Sequence, residues 1–150
     1  MSRHPPITLR YFDARGRAQF VRYYLRIREF PFTDERVPIA DGMAAWRSLR
    51  GDRGKTGPFQ KLPVLHWGNR LIAETLMIAA FLHEALGDAR QLSDDDNLRQ
   101  GMLTSTLCDV MASLAQSIYA DIAYPGADLK ATTTRSLERL KSHLTSIDQA

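Results

Sequence analysis

Ile7-Thr8-Leu9-Arg10-Tyr11 alternates apolar and polar side chains, the pattern of a half-buried strand. From Arg15 to Arg28 the period lengthens to that of a helix. Val21, Tyr24, Leu25 and Arg28 fall on one face, and Arg15, Arg22 and Arg26 cluster on another. Pro31 is expected to end this helix, with a second strand over Phe32 to Val37. A short helix follows from Asp41, its N-cap, to Arg50. The glycine-rich stretch from Gly51 to Lys61 reads as a loop. Leu62 to Trp67, a Gly68-Asn69 turn and Leu71-Ile72-Ala73 predict a hairpin. Thr75 to Leu86 is apolar nearly all round, which predicts a helix buried between two layers and closed by Gly87.

The first 87 residues thus read β-α-β-α-β-β-α. The first two strands flank a helix and should be parallel neighbours; the last two should be antiparallel. This is the α/β order of a thioredoxin-like domain, set at residues 5–87. Ser93-Asp94-Asp95-Asp96 supplies an N-cap and an acidic first turn for a helix running to about Tyr119. Tyr124-Pro125-Gly126 breaks the chain, and Leu129 to Ile147 is again helical, with Leu137, Leu140, Leu144 and Ile147 at helical spacing. Residues 93–150 are therefore read as an all-α domain of about two helices.

Composition adds exclusions. Twenty basic against seventeen acidic residues give +3, too balanced to imply nucleic acid. The arginines do cluster early (Arg15, Arg17, Arg22, Arg26, Arg28, then Arg47, Arg50, Arg53), as a solvated helix face or as a local anion site. The lone cysteine, Cys108, excludes an intrachain disulfide and any CxxC motif. His4, His66, His83 and His143 are dispersed without metal-ligand spacing, so no metal is expected. No run approaches the length of a membrane span and no signal peptide is visible, so a reducing, cytoplasmic setting is expected.

The candidate chemistry lies at Tyr11-Phe12-Asp13-Ala14-Arg15-Gly16-Arg17-Ala18. A phenol and two guanidiniums stand there where a strand ends and a helix dipole begins, a place able to hold an anion such as a thiolate. With Gly57-Pro58-Phe59-Gln60-Lys61-Leu62-Pro63-Val64-Leu65 and Ala73-Glu74-Thr75, this stretch resembles the cytosolic glutathione S-transferases. The likeness is to their tyrosine-type classes, sigma above all, with alpha and mu behind. It is dense over residues 7–87 and looser after Ser93.

The resemblance implies glutathione as co-substrate and a hydrophobic electrophile as second substrate. Tyr11 matches the tyrosine that hydrogen-bonds the glutathione sulfur, and Arg17 an arginine near the same sulfur. A thiol of pKa about 8.5 is only roughly 3% ionised at pH 7. A hydrogen bond to the charged form, worth about 1.5–3 kcal/mol, lowers that pKa by roughly one to two units. Pro63 matches the family's cis-proline, which would expose the Leu62 backbone for pairing with the tripeptide. Glu74-Thr75 matches the Gln/Glu-Ser pair at a helix start, which would take the γ-glutamyl carboxylate. Trp46, Arg50 and Lys61 match residues at the glycyl end.

Each position also has a purely architectural reading. Tyr11 can be a strand-end aromatic, Pro63 a trans proline, Thr75 a helix cap, Trp46 packing and Arg50 surface charge. Phe59 resembles an aromatic inserted into a partner subunit, which implies a homodimer, or it is an interior loop aromatic. The pattern departs from the family at Thr75, where Ser is usual, and at Ser105, where the partner subunit often supplies an aspartate; Asp109 lies one turn on. The family's helical domain is longer than 93–150, so this domain is expected to be incomplete. The functional alternatives are a glutathione-dependent isomerase, a binding or regulatory protein of the same fold, and a partial chain of little activity.

Overall fold

The computed structural model describes residues 4–86, 93–118 and 128–148. The chain divides into two units, Met1–Ala89 and Arg90–Ala150.

In the first unit, strands β1 (Ile7–Phe12), β2 (Thr33–Val37), β3 (Val64–Trp67) and β4 (Arg70–Ala73) form one sheet in the order β2-β1-β3-β4. β1 and β2 are parallel and β3 and β4 antiparallel, as expected, and β1 also pairs antiparallel with β3. The pleat sends Ile7, Leu9 and Tyr11 to one face, where they meet Leu65 of β3. Helix α1 (Gln19–Ile27) contributes Val21 and Leu25, and α4 (Thr75–Ala85) contributes Ile78 and Leu82. Each fully buried leucine here is worth about 2 kcal/mol relative to exposure.

Several expectations about the elements are corrected. Gly16, at φ +39°, tightens the chain, so residues Gly16–Ala18 form a 3-10 turn before α1 starts. Pro31 does not end α1. A Schellman motif does, with Glu29 left-handed at φ +56°, Glu29 N–H on the Arg26 carbonyl (3.0 Å) and Phe30 N–H on that of Leu25 (2.9 Å). Asp41 is not an N-cap: α2 (Ala40–Leu49) begins after Ile39, and Asp41, Gly42 and Met43 make a left-handed turn inside it. The Gly51–Lys61 stretch contains a short helix, α3 (Arg53–Thr56). α4 buries one stripe, Ile78 and Leu82, and leaves Leu76 and Met77 exposed, so it is not buried all round.

In the second unit, α5 (Asp94–Ile118) packs against α6 (Leu129–Asp148). Ser93 caps α5 reciprocally: its Oγ accepts the Asp96 N–H at 3.1 Å and donates to Asp96 Oδ2 at 2.7 Å. Among the described residues, Ser113 and Ser136 are buried polar positions of this pair, while Leu98, Met102, Leu107, Met111, Leu137 and Leu144 are exposed. The expected Gly87 cap, the helix end at Tyr119 and the break at Tyr124-Pro125-Gly126 lie outside the described residues.

Candidate active site

Tyr11 lies near the C-terminal end of β1, only 8% exposed, with its ring in the core. Its hydroxyl oxygen accepts the backbone N–H of Arg17 at 3.1 Å. That bond occupies one lone pair and leaves the O–H free to donate outward, strengthened as a donor by the bond it receives. Gly16 makes the approach possible. A Cβ there would stand 2.5 Å from the phenol oxygen, and φ +39° already disfavours any other residue. The Arg17 and Arg15 side chains are exposed.

The sheet register brings the sequence-predicted positions to one end. Arg10 pairs with Val64, and Val64 with Ala73. One step further along the three strands stand Tyr11, Pro63 and Glu74, side by side at the same sheet end. The Leu62-Pro63 bond is cis. Glu74 holds φ +67°, ψ 126° as the residue before α4, a costly conformation for a side chain other than glycine. It makes no side-chain cap, so the first N–H groups of α4, including that of Thr75, lack a side-chain acceptor from the N-cap residue.

Trp46 reaches the site through an aromatic run. Its ring meets Phe12 edge-on at 5.3 Å, and Phe12 meets Tyr11 at 5.3 Å. Arg50 and Lys61 are exposed and are held by a residue the sequence did not single out, the fully buried Thr56. The Thr56 hydroxyl donates to the carbonyls of Arg50 (3.1 Å) and Asp52 (2.8 Å), and the Lys61 N–H to the Thr56 carbonyl (3.2 Å). Phe59 is 58% exposed, so it is not an interior loop aromatic.

Two buried arginines were also missed. Arg22, expected on a polar helix face, is 0% exposed and pairs through Nε with both carboxylate oxygens of Asp34 at 3.0 and 3.1 Å. Arg10 forms a fork with Glu35 (2.7 and 2.8 Å) and donates to the Lys55 carbonyl and to His66 Nε2. Because arginine only donates, His66 accepts at Nε2. Burial first, then the Arg10 charge, lower the His66 pKa from its ordinary 6.5, so the ring is neutral at pH 7. The signal was present only in the register: Asp34 and Glu35 lie opposite Leu9 and Arg10.

A sequence relative from Plasmodium falciparum, a glutathione S-transferase, is 30% identical over 77 residues, 51% of this chain and 36% of that protein. A chicken hematopoietic prostaglandin D synthase is 31% identical over 107 residues, 71% of this chain and 49% of that protein. The solved glutathione S-transferase of Ascaris lumbricoides superposes at TM-score 0.76 with 21% identity, covering 97% of this chain and 67% of that one. This is the glutathione S-transferase fold. Within it the Tyr11, Pro63 and Glu74 row belongs to the thioredoxin-like unit, and α5 and α6 to the helical one. The chain spans between about a third and a half of the length of the curated relatives it matches. No protein-family model matches the chain.

Proposed function

We propose that this chain binds glutathione at the sheet end formed by Tyr11, Pro63 and Glu74, and activates its thiol for attack on a hydrophobic electrophile, as a glutathione S-transferase. The observation that carries the reading is the alignment of the three positions in one row. Two strand spacings separate Tyr11 from Glu74, about 9.6 Å. The sulfur would lie at the Tyr11 end, accepting the phenol O–H, with the exposed Arg17 adding positive charge. The cysteinyl backbone would pair with Leu62 beside Pro63. The γ-glutamyl carboxylate would meet the open N–H groups and hydroxyl of Thr75 behind Glu74, and Trp46, Arg50 and Lys61 would flank the glycyl end.

In this scheme the phenol hydrogen bond favours the thiolate, and the sulfur lone pair forms the new bond to carbon as the leaving group departs or a conjugated double bond takes up the electrons. No metal takes part. A second reading, isomerisation with glutathione as cofactor, is favoured by the relatives named hematopoietic prostaglandin D synthase, at 32% identity for the human one. The protein would act as a homodimer with Phe59 as an interface anchor, in a cytoplasmic setting.

The test is glutathione affinity and turnover of a generic aromatic electrophile by the wild-type chain and Tyr11→Phe. The expected result is retained glutathione binding with turnover reduced about tenfold to a hundredfold. Unchanged turnover in Tyr11→Phe removes the thiolate role. Absence of glutathione binding removes the whole reading.

A further inference from the structure

Arg22 carries a charge at 0% exposure, and its donors are spread unusually. Only Nε faces Asp34. The rest of the fork reaches the carbonyls of Ala14 (2.7 Å), Arg15 (3.4 Å) and Phe12 (3.4 Å), and Gln19 Oε1 (3.4 Å). All three carbonyls belong to the short stretch that joins Tyr11 to Arg17. The guanidinium carbon also lies 5.8 Å from the centre of the Tyr11 ring. A second arginine closes the arrangement from outside: Arg36 binds Asp13 at 2.8 Å and Asp34 at 2.9 Å. The turn is therefore gripped on both sides through one shared carboxylate.

We infer that Arg22 is a positioning residue for the Tyr11 phenol: its buried guanidinium holds the Phe12, Ala14 and Arg15 carbonyls of the chain leading into Gly16, so that the Arg17 N–H beyond that turn meets the phenol oxygen. The inference rests on the glutathione reading for its catalytic consequence, though not for the geometry itself. A buried ion pair adds little stability over a well-packed apolar pair, so stability alone is a poor reason for a charge here. An apolar side chain of equal volume would leave the turn carbonyls without donors. Lysine would keep the charge, but its three donors radiate from a single atom and cannot serve Asp34 and separated carbonyls together. The planar fork is what the site requires. The held Ala14 and Arg15 carbonyls set the peptide planes that carry the Arg15 and Gly16 N–H groups. The Arg17 N–H lies one peptide further, in the plane of the Gly16 carbonyl that accepts the Gln19 N–H, so Arg22 acts on it by fixing where the Gly16 turn begins.

The experiment uses the full chain and Arg22→Lys. Hydrogen exchange of the Arg17 amide, followed by NMR, is expected to quicken about tenfold or more, while the Leu65 and Ile72 amides stay as in wild type. With saturating glutathione, the ultraviolet thiolate absorbance should fall. The value of kcat should drop about tenfold to a hundredfold, while KM for glutathione moves by less than about threefold. A role confined to stability would speed all three amides together and leave the thiolate absorbance of the folded protein unchanged. A folded Arg22→Lys with wild-type Arg17 exchange overturns the inference. Should Arg22→Lys not fold, Asp34→Asn, which removes the counter-charge and leaves the guanidinium, is read instead. It is expected to quicken Arg17 exchange to a smaller degree, and an unchanged rate overturns the inference equally. A wild-type chain that binds no glutathione sinks the proposed function, and the Arg17 exchange comparison still decides the role of Arg22.

Discussion

At the scale of single residues, the site depends on what is absent at position 16 as much as on what is present at 11. The phenol oxygen of Tyr11 takes the Arg17 N–H because Gly16 leaves the path open. Gly16→Ala is expected to destabilise the chain by roughly 2–4 kcal/mol, through the left-handed backbone and the collision with the phenol. The midpoint of a urea transition measures this, and a loss below about 0.5 kcal/mol would remove the steric argument. Tyr11, Pro63, Glu74 and Thr75 were legible as candidates because each occupies a motif position on the chain. Arg22, Arg10 and Thr56 were not. Each is a polar side chain in an unremarkable run, and burial became visible only with its partners on other elements.

At the scale of elements, the second face of the sheet is held by polar contacts. Arg10, from the centre of β1, ties Glu35 of β2, the Lys55 carbonyl of α3 and His66 of β3. This has a pH consequence whose sign follows from His66. Its folded pKa lies below the ordinary 6.5, so the unfolded chain binds more protons in the window between the two values. The stabilisation is complete above about pH 6.5 and is lost as pH falls through the folded value. Thermal unfolding from pH 7.5 down to pH 5 should show a falling melting temperature, less steep in His66→Gln. Equal slopes in the two proteins would take His66 out of the acid response. The order of the strands and the longer helices came from periodicity, because alternation and the 3.6-residue repeat are local, whereas the four-residue α3 is too short to show a period. The boundaries did not. Glu29, which ends α1, and Asp41 and Met43 are left-handed without being glycine, and Gly42 is the one glycine of its turn.

For the whole molecule, the sheet and its helices belong to one unit and the α5–α6 pair to another. Among the described residues no helix is long and apolar enough to cross a membrane. The exposed Phe59 gives the proposed homodimer a direct test. Phe59→Ser is expected to shift the native mass, measured by sedimentation at micromolar protein, from dimer to monomer. A mass that does not change removes Phe59 from the interface, and a monomeric wild type removes the dimer itself.

By itself the sequence determined the order of the strands and the longer helices, the parallel β1–β2 pair, the β3–β4 hairpin and the family likeness, since these rest on local periodicity, connection length and motif spacing. Tertiary structure decided which of the early arginines are charges in water and which are structural. Arg15 and Arg17 stay exposed, while Arg22 enters the core because Asp34, twelve residues away, sits on the adjoining strand facing the same side. It also decided that Tyr11, Pro63 and Glu74 are neighbours, a fact of strand register across a sheet that no linear spacing contains.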